Sequence, residues 1–333
     1  LKGGLSIVSV LAGMFFAAIS GSGAATTAAV GATLIPELKK RGYREDSAAA
    51  LIAAAGTIGV VIPPSVPMVL YAVISEDSVN TLFRNGFIPG ALMGVILVAI
   101  SLYQARKFNY PKGKPFSVGN VLRTFKEAIW GILMPLIILG GIFSGYFTPS
   151  EAAAVAVIYA IFVSFFIYRD LDFKGLVEIM KGSAKTSAVI MIIIGNATVF
   201  SWFCTAKGIA PAVSRSLEHA SSSHVVVLFI MLVILLIAGC LINGNSIFYI
   251  FVPIFKNMGL DPLWFGVFMS MAAAVGMITP PVAVNLYPAA NCAKISLARI
   301  SMSILPLVAV AVLATIVVML VPELSTWLPS LMV

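Results

Sequence analysis

Charge is scarce in this chain. Asp, Glu, Lys and Arg together make up 10% of its 333 residues, where a soluble domain carries about 25%. Apolar residues reach 60% and the mean hydropathy is +1.05, which excludes an ordinary water-soluble domain. Cys204, Cys240 and Cys292 stand far apart, so neither a disulfide framework nor a cysteine metal site is indicated. His219 and His224 flank a polar stretch, and solvation is their expected role. Almost no Asp, Glu or His falls deep in an apolar run, which leaves little to relay a proton through lipid. No signal peptide is visible. The chain begins at Leu1 and enters an apolar run almost at once, so further N-terminal helices are expected to be missing from it.

What the sequence does have is apolar runs near the ~20 residues that a membrane helix needs. The expected fold class is an all-α polytopic membrane protein. Segments 5–19 and 24–36 read as a helical hairpin and 45–75 as a crossing interrupted at Pro63-Pro64. Further crossings are expected at 86–104, 128–146, 150–168 and 187–206. A second hairpin spans 224–258, and an interrupted crossing at 262–291 precedes a last one at 299–321. Threading this path leaves only Arg84, Lys207, Arg215 and Lys256, of 21 lysines and arginines, on one side. The basic side is then cytoplasmic. The formal charge of +8 therefore faces membrane lipid, and no nucleic acid partner is expected. Basic, mildly amphipathic segments 114–127 and 171–186 read as interfacial arms on that side.

Two stretches, "GTIGVVIPPSVPM" and "GMITPPVAVN", place consecutive prolines inside these apolar segments. Each proline removes a backbone donor at a cost of roughly 3 kcal/mol in a helix interior. Non-helical backbone at membrane depth is tolerated only where it lines a cavity or binds something. Gly59, Pro63 and Pro64 align with Gly276, Pro280 and Pro281 at one constant offset, and each pair follows a hairpin with a small polar tip. The tips are Ser20-Gly21-Ser22-Gly23 and Asn243-Gly244-Asn245-Ser246. The first hairpin enters from the cytoplasmic side and the second from the opposite one. Paired interrupted segments of opposite orientation point to a secondary transporter with its site at mid-membrane. Carbonyls freed around Gly59 to Ile62 and Gly276 to Thr279, with nearby hydroxyls, suit Na+. Half-helices starting after the tips favour an anionic substrate group. Glu151, after Thr148-Pro149, reads as a helix cap.

The stretches "SGSGAATTAAVGATLIPELKKRGY", "AAALIAAAGTIGVVIPPSVPMVLYAV" and "FVPIFKNMGLDPLWFGVFMSMAAAVGMITPPVAVNL" resemble the large membrane subunit of tripartite ATP-independent periplasmic (TRAP) transporters. The resemblance implies an elevator-type, Na+-coupled importer of an organic acid in the bacterial inner membrane. Its implied partners are a small four-helix membrane subunit and a soluble periplasmic binding protein. Carried over by motif, one Na+ would lie between Ser20, Gly21 and Ser22 of the first tip and Gly59, Ile62 and Pro64 of the first break. A second would lie between Gly244 of the second tip and Gly276, Thr279 and Val282 of the second break. The substrate would contact Ser20, Ser65 and Asn243. Two features depart from the family's pattern. Many relatives carry an acidic residue where Asn243 stands, and sialate-type members are more serine-rich after Pro-Pro, which argues against sialic acid.

The implied organisation assigns 1–84 and 207–293 to the two halves of a transport domain. Residues 85–206 would form mainly scaffold crossings and arm helices, and 294–333 a C-terminal crossing. Two other readings fit the residues less well. A single-component Na+/dicarboxylate carrier would need no binding protein. An intramembrane serine protease using Ser22 would need His219 or His224 as base, and both lie outside the membrane on this topology; no enzyme is expected.

Overall fold

The computed structural model describes residues 2–111, 117–208, 212, 215–216, 223–241, 244–255 and 258–330. Among the described residues the regular structure is helical, with no strand, and the helices fall into two units.

The larger unit opens with α1 (Gly4–Ser20) and α2 (Gly23–Lys40), which pack together and are joined by Gly21 and Ser22 alone. Ser22 caps α2 by accepting from the Ala25 amide at 3.5 Å, and Lys39 and Lys40 close its last turn, where cations favour the helix dipole. Then α3 (Glu45–Thr57), with Glu45 and Asp46 in its first turn, leads into a 3-10 turn, Ile58–Val60. Ser65 caps α4 (Val66–Ser75), and Ser78 caps α5 (Val79–Lys107). In the second half, α9 (His224–Leu241) and α10 (Gly244–Phe255) precede α11 (Pro262–Gly276), which Asp261 caps. After a non-helical stretch come α12 (Leu286–Ala293), α13 (Leu297–Leu320) and α14 (Glu323–Ser330).

The smaller unit, 115–204, holds α6 (Val118–Phe143), α7 (Pro149–Phe162) with a π-helical extension Val163–Tyr168, and most of α8 (Phe173–Ala206). α7 starts at the cap expected of Glu151, and the cap is a capping box. The Thr148 amide donates to Glu151 Oε2 at 2.8 Å, and the Glu151 amide donates to Thr148 Oγ1 at 3.3 Å. α6 and α7 are tied by the Tyr159 and Tyr168 hydroxyls, which donate to the Trp130 and Glu127 carbonyls at 2.8 and 3.1 Å. The basic segments read as arms are not separate elements. α6 runs unbroken through residue 127 and α8 through residue 186. Polarity changes at those points, but no proline or capping residue stops the helix. α14, packed on α5, adds a short element that the sequence reading did not include.

Among the described residues, four helices are long and apolar enough to cross a membrane: α5, α6, α7 with its π extension, and α13. Shorter apolar helices include α1, α4 and α11. This is a multi-pass membrane protein. The larger unit's core centres on α3 and α11. Every residue from Ala48 to Thr57, mostly alanine, is buried, and the small side chains let α2, α12 and α13 pack closely around it. α11 is buried from Trp264 to Gly276.

The packing is reciprocal. α2 and α3 lie against α12, while α10 and α11 lie against α4. The first half of each interrupted segment thus adjoins the second half of the other, which requires the two to run antiparallel. A side-chain hydrogen bond marks each contact. The Tyr71 hydroxyl on α4 donates to the Pro262 carbonyl at 2.7 Å, and Asn285 Nδ2, just before α12, donates to the Ala53 carbonyl on α3 at 3.4 Å.

Candidate functional site

Proline chemistry shapes both non-helical stretches. Pro63 and Pro64 cannot donate to the carbonyls of Gly59 and Val60, and Pro280 and Pro281 cannot donate to those of Gly276 and Met277. Other donors take up several of these carbonyls. Val60 accepts the Ser65 hydroxyl, Gly276 accepts the Thr279 amide at 3.1 Å, and Met277 accepts the Asn285 amide at 2.9 Å. The Pro63–Pro64 and Pro280–Pro281 peptide bonds are both cis.

The turn between α1 and α2 sits directly on the first stretch. Gly21 adopts a left-handed conformation, φ 61°, and its carbonyl accepts the Val66 amide at 3.1 Å. A Cβ on Gly21 would lie 2.7 Å from the Pro64 carbonyl oxygen, so only glycine permits this approach. A Cβ on Gly59 would lie 2.8 Å from Thr26 Oγ1 and 3.2 Å from the Ser22 carbonyl oxygen. Ser20, half-buried, donates its hydroxyl to the Ser22 carbonyl at 3.3 Å. The structure therefore groups Ser20, Gly21, Ser22, Gly59, Pro64 and Ser65, with Ile62 buried in the same stretch. Ser65 is buried, its proton given to Val60 and its oxygen accepting the Met68 amide at 3.3 Å.

The second stretch meets the end of α9. A Cβ on Gly276 would lie 2.5 Å from Gly239 Cα, and the Val282 amide donates to the Cys240 carbonyl at 3.3 Å. The Thr279 hydroxyl donates to the Val275 carbonyl at 2.8 Å. Gly244 begins α10, which also packs on α11. Asn243 lies outside the described residues.

Groups of three or more His, Cys, Asp or Glu able to hold a metal do not occur among the described residues. The oxygens around the first stretch are instead neutral hydroxyls and carbonyls, and one is orphaned: Thr26 Oγ1 is fully buried without a partner. That donor set fits a hard monovalent cation such as Na+.

Residues 1–324 match the family model described as "Tripartite ATP-independent periplasmic transporter, DctM component". The chain belongs to this family. It is 37% identical to the C4-dicarboxylate TRAP transporter large permease protein DctM of Pseudomonas aeruginosa, over 99% of this chain and 78% of the relative. The Vibrio cholerae protein of the same name is 38% identical over 99% and 78%. The sialic acid TRAP transporter large permease protein SiaM of Vibrio cholerae is 32% identical over 99% and 77%. These relatives are permeases, not enzymes.

In this TRAP permease two residues packed beside these stretches escaped the reading of the sequence. Thr26 stands in "AATTAAVG" beside a second threonine, and nothing in the pattern separates them. Asn285 closes "PPVAVN" and is fully buried, with Oδ1 unpartnered. A Cβ on Gly23 would lie 2.9 Å from its Nδ2, so the amide rests on the first turn of α2. A lone polar residue ending an apolar Pro-Pro segment was the available signal.

Proposed function

We propose that this permease imports an organic acid anion across the bacterial inner membrane, coupled to Na+ entry. A periplasmic binding protein would deliver the substrate and a small four-helix membrane subunit would support the permease. One observation carries the reading: two antiparallel Pro-Pro stretches, the first capped by a Gly-Ser turn with an orphaned buried hydroxyl aimed at its backbone. Na+ would be held at the first stretch by Ser20, Gly21, Ser22, Gly59, Ile62 and Pro64. At the second it would be held by Gly244, Gly276, Thr279 and Val282. Bound there, it would supply positive charge for the substrate carboxylate where no Arg or Lys is buried among the described residues. Ser20 and Asn243, with the Ser65 turn, would orient the acid. The re-entrant pairs α1–α2 and α9–α10, with α3–α4 and α11–α12, would slide as one block, in the manner of an elevator, because each interrupted segment is braced by the other. The C4-dicarboxylate relatives make succinate the first substrate to try.

The test is uptake of radiolabelled succinate, and of other organic acids in parallel, by the full assembly in proteoliposomes with its cognate binding protein. Accumulation should require an inward Na+ gradient and the binding protein. Accumulation of the transported acid that persists when choline replaces Na+ would refute the coupling.

A further inference from the structure

We infer that the Thr26 hydroxyl is an additional ligand of the first cation site, one that the family motif Ser20-Gly21-Ser22 with Gly59, Ile62 and Pro64 does not include. This rests on the Na+ coupling proposed above.

Threonine inside a helix usually donates its hydroxyl to a carbonyl three or four residues earlier. Other threonines of this chain do so. Thr27 donates to Gly23 at 2.9 Å, Thr57 to Ala54 at 2.6 Å, Thr279 to Val275 at 2.8 Å and Thr315 to Ala311 at 3.0 Å. Thr26 is different. The Ser22 carbonyl, four residues back, accepts the Thr26 amide at 3.0 Å but not its hydroxyl. The hydroxyl is fully buried, has no partner, and points at Gly59.

Leaving a buried hydroxyl unpaired is unfavourable, and a ligand in contact with it would remove that cost. At the point where any other residue at position 59 would place its Cβ, Thr26 Oγ1 is 2.8 Å away and the Ser22 carbonyl oxygen 3.2 Å away. Close packing of α2 on α3 puts both threonines against a glycine, Thr27 at Gly56 and Thr26 at Gly59. What sets Thr26 apart is that its oxygen has no partner and lies beside the stretch that Pro63 interrupts. Neutral oxygens alone would leave a divalent ion undercompensated, so the ligand chemistry is that of a small monovalent cation. A water molecule is the competing occupant, and it would give no specific response to Na+.

The test compares Thr26→Val with Thr27→Val and Thr26→Ser in the full-length permease, purified with the membrane subunit that accompanies it. Thermal unfolding is followed while NaCl replaces choline chloride at constant ionic strength. In choline, Thr26→Val should melt no lower than wild type, because a methyl replaces an unpaired hydroxyl of nearly the same volume. Its half-saturating Na+ concentration should rise about tenfold or more, the effect of losing one ion-to-oxygen contact. Thr26→Ser should keep the wild-type Na+ titration, and so should Thr27→Val, whose hydroxyl serves only its own helix. Thr26→Ala, which removes the same oxygen with less bulk, makes the same measurement if the valine variant fails to fold. A wild-type Na+ titration in the Thr26 variants lacking the hydroxyl overturns this inference alone. A wild-type protein whose melting and uptake both ignore Na+ overturns the coupling and the inference with it.

Discussion

Gly21 and Gly42 form a matched pair for testing how the α1–α2 turn is seated. Both are left-handed, with φ of 61° and 79°. Around Gly42 a new Cβ would meet nothing within 4 Å, whereas at Gly21 it would lie 2.7 Å from the Pro64 carbonyl oxygen. Gly42→Ala should therefore cost only the left-handed penalty, about 1–2 kcal/mol. Gly21→Ala carries the same penalty and must also push the turn off the Pro64 carbonyl. That movement loosens the Val66 amide bond to the Gly21 carbonyl, now 3.1 Å, adding about 0.5–1.5 kcal/mol. The totals separate the variants by rank: wild type should melt highest, Gly42→Ala lower and Gly21→Ala lowest. Uptake should follow a steeper order. Gly42→Ala should transport nearly as well as wild type, while Gly21→Ala should lose most of its activity even at temperatures where it remains folded. If the two variants melt and transport alike, the close seating of the turn on the proline stretch is not what glycine secures at position 21.

Two further substitutions probe contacts elsewhere in the larger unit. Asp46, buried at the start of α3, accepts from Arg44 Nη2 at 2.7 Å and from the Ser303 hydroxyl on α13 at 2.7 Å. Asp46→Ala should lower stability by about 0.5–1.5 kcal/mol, as expected for losing the hydrogen bond from the half-buried Ser303 hydroxyl; Arg44, whose side chain is 54% exposed, can return to water. A melting temperature equal to wild type would count against this anchor. Tyr71→Phe removes the hydroxyl that reaches the Pro262 carbonyl, and a loss of about 1 kcal/mol is expected; an unchanged midpoint in thermal unfolding would show the bond to be dispensable.

Much of this arrangement was readable from local chemistry. Ser22 and Ser65 cap helices beside a turn and a Pro-Pro pair, and Thr148 with Glu151 announces a capping box. What remained hidden depended on contacts remote in sequence or on a single rotamer. Thr26 and Thr27 are the same residue side by side, yet one hydroxyl serves its own helix and the other turns toward Gly59. Asn285 acquires its meaning only when the second stretch lies antiparallel to the first and carries it to Ala53. The unbroken courses of α6 and α8 were obscured because polarity changes along them where helix geometry does not.

The exchange of Tyr71 and Asn285 across the two proline stretches has a mechanical corollary. Each supplies to the opposite segment a hydrogen bond to a main-chain oxygen, which ties the two segments together. A shift at one end must be answered at the other, as in two beams each notched into its neighbour.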